Sequence, residues 1–151
     1  MLPLKLILCP TDFSGPACTC VRTGSELAEH FGAELLLVNI VPVVPPAPPD
    51  PNYVFKIPEY ERYLHADAEK QLRETREKLV GKNVKVRTQV GHGSAADEIV
   101  RIAKTEGADL IVISTHGSTG LEHWVFGSVA EKVVRLAECP VLTVRQQEKA
   151  A

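Results

Sequence analysis

The sequence predicts a single-domain α/β fold in which a five-stranded parallel sheet lies between two layers of helices. The first observation is that apolar runs alternate with segments of helical periodicity along the whole chain. The second is that most of these runs are continuously apolar, as expected of parallel strands that are covered on both faces. The third is the length of 151 residues, which is sufficient for one domain, residues 1–151, with a sizeable core.

The first three elements are a strand, a capped helix and a second strand. Residues 4–10 form a continuous apolar run and are predicted as a buried strand. Ser14 supplies N-cap chemistry for the helix, Pro16 lies near its first turn, and Gly32 is the expected C-cap. The apolar face of this helix is predicted to contain Ala17, Val21, Leu27, Ala28 and Phe31. Residues 34–41, ELLLVNIV, are the second predicted strand.

A proline-rich stretch separates the second strand from the next helix. Residues 42–58 are too rich in proline for a regular helix or a central strand, so we expect a long surface loop. From Glu59 the pattern is helical, and Gly81 ends it. The apolar positions recur at spacings of three and four: Tyr60, Leu64, Ala68, Leu72, Thr75 and Leu79. Residues 84–90 alternate in polarity and predict a strand with one wetter face.

The third helix and the fourth strand complete the centre of the fold. Residues 91–93 are predicted as a turn, since two glycines flank His92. The helix is marked by Ala95, Ile99, Ile102 and Ala103. It ends near Gly107, and residues 109–113 form the predicted fourth strand.

The last helix and strand are short. The helix begins near Gly127, and Pro140 stops it. Its predicted apolar face contains Val129, Val133 and Ala137. Residues 141–144, VLTV, are the fifth strand, and the tail from Gln146 is expected to be frayed.

Composition excludes several classes of protein. The net charge of -2 does not favour a nucleic acid or an anionic membrane as a partner. No apolar run reaches the roughly 20 residues of a membrane span. The N-terminus lacks a basic segment and a cleavage site, so we expect a strand there rather than a signal peptide. The four cysteines (Cys9, Cys18, Cys20 and Cys139) have no disulfide-scaffold spacing, which predicts a cytoplasmic protein.

The predicted topology places a ligand crevice at one edge of the sheet. Open parallel sheets bind ligands beyond the carboxyl ends of their strands, at the point where the strand order reverses. For the strand order 3-2-1-4-5 that point lies between the first and fourth strands. Residues 10–12 follow the first strand and residues 114–128 follow the fourth, so they meet there. Val41, at the end of the second strand, is expected to form the adjoining wall.

The segment 114–128, STHGSTGLEHWVFGS, is rich in glycine and hydroxyl groups but contains no lysine or arginine. Gly127 and Ser128 open a helix whose free N–H groups and dipole favour an anion. If this segment binds phosphate, it must do so with backbone N–H groups and hydroxyls. The alternative is that these two residues only start and cap the helix, and the segment alone leaves both interpretations open.

With this segment the sequence resembles the universal stress protein family over nearly the whole chain, residues 3–145. The family's nucleotide signature, G-x2-G-x9-G-[ST], is similar to the run from Ser114 through Gly117 to Gly127 and Ser128. The CPTDFS start, the VNIV strand and the CPVLTV ending also resemble the family. The resemblance implies a three-layer Rossmann-like sandwich, similar to the adenine nucleotide alpha hydrolases, with ATP binding and homodimerisation through the last strand, Val141 to Val144.

The resemblance also implies a set of nucleotide-binding residues. Asp12 and Val41 would contact the adenosine half, and Ile113 and Ser114 would line the pocket. Ribose and phosphates would be held by Gly117, Gly127, Ser128 and Val129. The complete expected set is Pro10, Thr11, Asp12, Val41, Ile113, Ser114, His116, Gly117, Gly127, Ser128 and Val129.

The first motif glycine is Ser114 in this sequence, a departure that concerns nucleotide affinity more than the fold. The sequence contains no GxxxxGK[ST] loop and supplies no clear means of neutralising phosphate charge, so we expect little or no ATP hydrolysis. Mg²⁺ would be held through the phosphates, with Asp12 nearby. The rival hypotheses are a structural or partner-binding dimer without a nucleotide, and a weak ATPase.

Other polar residues have two interpretations each. Asp12 is more readily explained as an adenosine contact or a helix cap than as a general base. His116 and His123 lie in a loop without a third obvious metal ligand, which favours contact with solvent or phosphate. His92 is predicted as a turn residue. Cys18 and Cys20 lie two positions apart on a helix and point in different directions, which argues against an active dithiol.

Overall fold

The computed structural model describes residues 2–46, 57–116 and 127–145. Strands and helices alternate along these residues in the predicted order. The strands are β1 (Leu6–Pro10), β2 (Glu34–Val41), β3 (Val86–His92), β4 (Leu110–Ser114) and β5 (Val141–Val144). The helices are α1 (Gly15–Phe31), α2 (Ile57–Leu79), α3 (Ala95–Glu106) and α4 (Ser128–Leu136). None of these helices is long and apolar enough to cross a membrane.

The five strands form one parallel sheet in the order β3-β2-β1-β4-β5, which confirms the predicted topology. The strand β1 is central and pairs with β2 on one side and β4 on the other. The chain therefore leaves β1 and β4 toward opposite halves of the sheet. This arrangement opens a crevice at their carboxyl ends.

The core has two halves because neighbouring residues of a strand face opposite sides of the sheet. Ile7 and Cys9 of β1 pack in the half that α1 and α2 cover, together with Val21 and Leu72. Leu6 and Leu8 pack in the other half, which α3 and α4 cover with Ile99, Ile102 and Val133. All three inner strands are covered on both faces, which explains their continuously apolar sequences.

Two buried thiols meet within the first half of the core. The Sγ atoms of Cys9 and Cys20 are 3.8 Å apart, and the Cys20 thiol donates a hydrogen bond to the carbonyl of Val112 at 3.2 Å. The contact with Cys20 and the burial of the site raise the pKa of Cys9 well above its ordinary value. The Cys9 thiol is therefore a neutral packing element, and its contact with Cys20 is structural.

Both ends of α1 have the capping residues that the sequence predicts. The Ser14 hydroxyl accepts a hydrogen bond from the backbone N–H of Ala17 at 3.4 Å. At the other end, Gly32 adopts a left-handed conformation with φ of 66° and donates its N–H to the last turn. A residue without a Cβ is favoured at this position, so the predicted C-cap is confirmed.

Three expectations about the helices were inaccurate. Phe31 is 41% exposed rather than part of the apolar face, and its ring contacts that of His30 edge-on at 4.9 Å. Val129 is also exposed, because the buried positions of α4 are Ala130 and Val133. The helix α2 begins at Ile57, two residues before Glu59, since a proline is tolerated in the first turn.

The structure also corrects the assignment of His92 to a turn. His92 is the last residue of β3 and pairs with Val41 of β2. The chain reverses one residue later, at Gly93, which has a φ of 131° and donates its N–H to the carbonyl of Val41 at 3.0 Å. The His92 ring stacks on that of His65, with a nitrogen-to-nitrogen distance of 2.9 Å. The strand persists because β2 extends far enough to pair with it.

Candidate functional site

A cavity of about 250 Å³ lies at the carboxyl ends of β1 and β4, where the strand order predicts a ligand. Most of the residues expected from the sequence line it: Pro10, Thr11, Asp12, Ile113, Ser114, His116, Gly127, Ser128 and Val129. Gly117, also expected there, lies outside the described residues, as does His123. The structure thus brings together two segments that are about a hundred residues apart in sequence.

The loop between β1 and α1 forms one wall of the cavity. Thr11 donates its N–H to the carbonyl of Val38 at 2.8 Å, and its hydroxyl accepts the N–H of Phe13 at 3.0 Å. The Asp12 carboxylate accepts both the N–H and the hydroxyl of Ser14. Phe13 takes a φ of 65°, a left-handed conformation that is uncommon for a large side chain. These contacts hold the Asp12 carboxylate at the exposed rim.

The second wall comes from β2, but through Ile40 rather than through Val41. Ile40 lines the cavity, whereas Val41 is buried and does not. The carbonyl of Val41 is already used, because it accepts the N–H of Gly93 on the β3 side. Successive residues of a strand present their backbone groups to alternate neighbours, so Ile40 faces the same side as Val38. The last residue pair between β1 and β2 is Pro10 with Val38, so no β1 residue lies beside Ile40. The backbone of Ile40 is therefore directed toward the cavity.

Asn39 joins these two walls and was not predicted from the sequence. Its side-chain Nδ2 donates a hydrogen bond to the carbonyl of Thr11 at 2.8 Å, and the residue also lines the cavity. The signal was a single amide residue inside the apolar run ELLLVNIV. A polar residue near the end of a buried strand indicates a specific hydrogen bond, because an unpaired amide there would be costly.

The third wall combines the end of β4 with the start of α4. Thr115 donates its N–H to Val144 at 3.0 Å and accepts the N–H of Gly127 at 2.6 Å. A Cβ added to Gly127 would stand 3.0 Å from the Thr115 carbonyl oxygen, so the close approach favours glycine. The first hydrogen bond of the α4 ladder is donated by the N–H of Glu131 to the carbonyl of Gly127. The preceding N–H groups of the first turn are the donors that a helix N-terminus leaves for an anion.

The remaining lining is apolar and comes from helix residues that the sequence did not assign to the site. Ala17 of α1, Ala95 and Ile99 of α3, and Ala130 of α4 contribute small or branched side chains. Their participation depends on how closely each helix packs on the sheet. The sequence pattern shows which face of a helix is apolar, but not which of its residues extends past the sheet edge.

The cavity has little formal charge. Within residues 2–46, 57–116 and 127–145, no lysine or arginine lines it, and Asp12 is the acidic residue that does. His116 lies at the other side of the opening, where its Nδ1 is 2.9 Å from the Thr115 hydroxyl. Among the same residues, no group of three potential ligands could hold a metal ion. A bound anion would therefore rely on N–H groups and hydroxyls.

This arrangement suits a ligand with a flat apolar part and an anionic end. The apolar side chains Val38, Ile40 and Ile99 can cover a planar ring, and the backbone of Ile40 offers a donor and an acceptor at its edge. The start of α4, with the Ser128 hydroxyl, can receive the negative charge. The described lining consists mainly of apolar side chains, backbone N–H groups and hydroxyls, which suit ligand binding.

The chain is similar to known proteins of one family. The model of the universal stress protein family matches residues 3–145. The universal stress protein MJ0531 of Methanocaldococcus jannaschii is 34% identical over 149 residues, with 96% of this chain and 84% of that protein covered. The structure of the universal stress protein UspA from Lactobacillus plantarum is similar with a TM-score of 0.81 and 24% identity, covering 94% of this chain and 98% of that one.

Two further solved structures contain a nucleotide. One is a universal stress protein in complex with cAMP, with a TM-score of 0.66, 19% identity, and 95% and 98% of the two chains covered. The other is the universal stress protein from Archaeoglobus fulgidus in complex with dAMP, with a TM-score of 0.56, 20% identity, and the same coverage of 95% and 98%. At these identities the similarity shows the fold alone.

Proposed function

Since the chain belongs to the universal stress protein family, we propose that it is a regulatory protein of the stress response that binds ATP or a related adenine nucleotide. The observation that carries this proposal is the cavity between β1 and β4, where apolar walls meet the N-terminus of α4. A nucleotide has the matching halves, because its base is flat and largely apolar and its phosphates are anionic.

The adenosine half belongs beside β2 in this proposal. The backbone of Ile40 would pair with the edge of the base, and Ile99 would cover one of its faces. The Asp12 carboxylate at the rim is placed to accept a hydrogen bond from a ribose hydroxyl. This assignment replaces Val41, whose carbonyl is bonded to Gly93.

The phosphates belong at the start of α4. The N–H groups of its first turn and the Ser128 hydroxyl supply donors, and Gly127 lets the backbone approach closely. Mg²⁺ fits this arrangement as an ion held mainly by phosphate oxygens and water, with Asp12 as a carboxylate within the same cavity. The described residues provide no further cage for it.

Binding without efficient turnover is the expected behaviour. Phosphoryl transfer requires charge neutralisation and a positioned nucleophile. Within the described part of the cavity, the lining contains neither a lysine nor an arginine. A steady-state phosphate-release assay tests this expectation, with Asp12→Ala as the control. Release that is abolished by that substitution would instead support the weak ATPase hypothesis.

The direct test of the ligand is mass spectrometry of molecules released from gently purified protein. We expect an adenine nucleotide, in an amount that approaches one per chain. A released molecule of another class, or protein that neither carries nor takes up an adenine nucleotide, would support the alternative of a structural or partner-binding dimer. Cytoplasmic location and homodimerisation through β5 are further parts of the proposal.

A further inference from the structure

An ion pair connects the two helices that border the cavity. Lys132 of α4 and Asp97 of α3 form it, with 2.8 Å between Nζ and Oδ2. Asp97 lies two residues after Ala95, which lines the cavity, and Lys132 lies one helical turn after Ser128, which also lines it. The pair therefore stands next to the end of the cavity where the phosphates are proposed.

The geometry of α4 directs the Lys132 side chain toward this end. Side chains of a helix lean toward its N-terminus, and positions four residues apart share a face. Lys132 thus extends over the turn that begins at Ser128. The side chains of Lys132 and Asp97 are 38% and 52% exposed, and an ion pair this accessible to water is weak. Lys132 can consequently exchange its partner at small cost.

Asp97 has a second partner that would remain after such an exchange. The contacts with Lys132 and then with Ser94 hold the pKa of Asp97 below its ordinary value, so the carboxylate is charged at neutral pH. If Lys132 moves away, the Ser94 side chain still binds this carboxylate. The start of α3 therefore keeps a local contact for Asp97 in either state.

We propose that Lys132 is a specificity-determining residue that leaves Asp97 to bind the outer phosphates of the nucleotide. The inference rests on the proposed function and deepens it. The described lining has no cation of its own, so a lysine one turn away favours di- and triphosphates over monophosphates and nucleosides. Asp97 competes with phosphate for Lys132 and lowers this preference.

The chain offers a matched control for this ion pair. Lys104 of α3 and Glu138, which follows α4, form a second pair, with 2.6 Å between Nζ and Oε1. It joins the opposite ends of the same two helices, and both of its side chains are 66% exposed. Lys104→Gln removes the same charge and the same kind of link, but away from the cavity.

Isothermal titration calorimetry with adenosine, AMP and ATP, at constant ionic strength and excess Mg²⁺, tests the proposal. We expect Lys132→Gln to weaken ATP binding about fivefold, while adenosine binding changes less than about twofold. Asp97→Asn should strengthen ATP binding about threefold, because it releases Lys132 and removes a negative charge. Lys132→Arg should keep the preference for ATP, and Lys104→Gln should behave like the parent.

The two partners must act in opposite directions if the proposal is correct. If Lys132→Gln and Asp97→Asn weaken ATP and adenosine binding alike, the pair only braces the helices and the proposal is overturned. An unchanged ratio of ATP to adenosine affinity in Lys132→Gln overturns it as well, while leaving nucleotide binding itself intact. A parent protein that binds none of the three ligands contradicts the proposed function and this inference together.

Discussion

Ser114 is the residue at which this sequence departs from the family motif. It ends β4, pairs with Val144 of β5 and lines the cavity. Its position at the end of a regular strand places no demand on glycine's conformational freedom. A small side chain is therefore compatible with the site, and its hydroxyl adds a polar group.

A pair of substitutions at Ser114 distinguishes steric from polar roles. We expect Ser114→Gly to retain or slightly strengthen ATP binding, because backbone shape dominates a wall with this many hydroxyl groups. Ser114→Val should bind ATP more weakly than either, since a branched side chain adds bulk without a polar partner. Calorimetric titration of both variants against the parent measures the effect. A loss of about 0.5–1.5 kcal/mol in Ser114→Gly would show instead that the hydroxyl binds the ligand.

At this scale the sequence predicted residue types better than exact positions. Asp12 and Ser128 were expected in the site and line the cavity, because Asp12 lies in the loop after β1 and Ser128 begins α4. Val41 was expected to contact the adenosine half, whereas its neighbour Ile40 lines the cavity and Val41 does not. The direction of a backbone carbonyl depends on strand register, and register follows from pairing with β1 and β3 rather than from the local sequence.

Among the elements, β4 is joined to the start of the central strand by one carboxylate. The Asp109 side chain accepts the backbone N–H groups of Lys5 and Leu6 at 2.8 and 2.9 Å. These two hydrogen bonds hold the pKa of Asp109 below its ordinary value. The contact fixes the amino end of the sheet, opposite to the cavity.

Asp109→Asn should lower the free energy of unfolding by about 1 kcal/mol at neutral pH, because the hydrogen bonds lose their charge assistance. A carboxyl with a lowered pKa in the folded state contributes stability above its unfolded value of 3.8 and loses it as the pH falls through the folded value. The difference between parent and variant should therefore disappear in strong acid. Urea unfolding across this pH range measures it.

The control for this experiment is Asp67→Asn on α2, where the carboxylate accepts a hydrogen bond from Gln71 on the same helix. We expect this part-buried contact between one side chain and its helix neighbour to contribute less than Asp109, and the control should show a smaller change. Equal destabilisation by both variants, or a difference at Asp109 that does not depend on pH, would contradict the assigned role of Asp109.

The elements themselves were predicted well where apolar pattern and capping residues agree. The strand β2 and the ends of α1 and α3 match the sequence, because Gly32 and Gly107 both adopt the left-handed conformation of a C-cap. The strand β3 is shifted by two residues from the predicted range of 84–90, and its far end extends because β2 continues alongside it. Pairing with a neighbouring strand is a tertiary effect that local patterns do not contain.

At the scale of the whole molecule, the edge of the sheet at β5 is the feature that predicts a partner. Among the described strands, β5 pairs with β4 on one side only. Leu142 of β5 is 39% exposed, and Val134 and Leu136 of the neighbouring α4 are exposed as well. An unpaired apolar edge is an aggregation hazard, and a two-fold contact with a second copy would cover it.

We therefore expect a homodimer at micromolar concentration in sedimentation or light-scattering measurements. Leu142→Glu should weaken the dimer roughly tenfold or more, because a buried unpaired carboxylate is costly. Phe31→Glu is the matched control, since Phe31 has a similar exposure but lies at the end of α1. A monomeric parent, or equal effects of the two substitutions, would be evidence against dimerisation through β5.

The central claim is that the cavity between β1 and β4 holds an adenine nucleotide with its phosphates at the start of α4. Calorimetric titration of ATP into the parent and into Gly127→Asp tests it most directly. The variant places a carboxylate where the phosphates would approach, and its Cβ would stand 3.0 Å from the Thr115 carbonyl oxygen. We expect saturable binding by the parent and none by a variant whose circular dichroism spectrum shows that it is folded. Unchanged ATP affinity in the folded variant would contradict the claim.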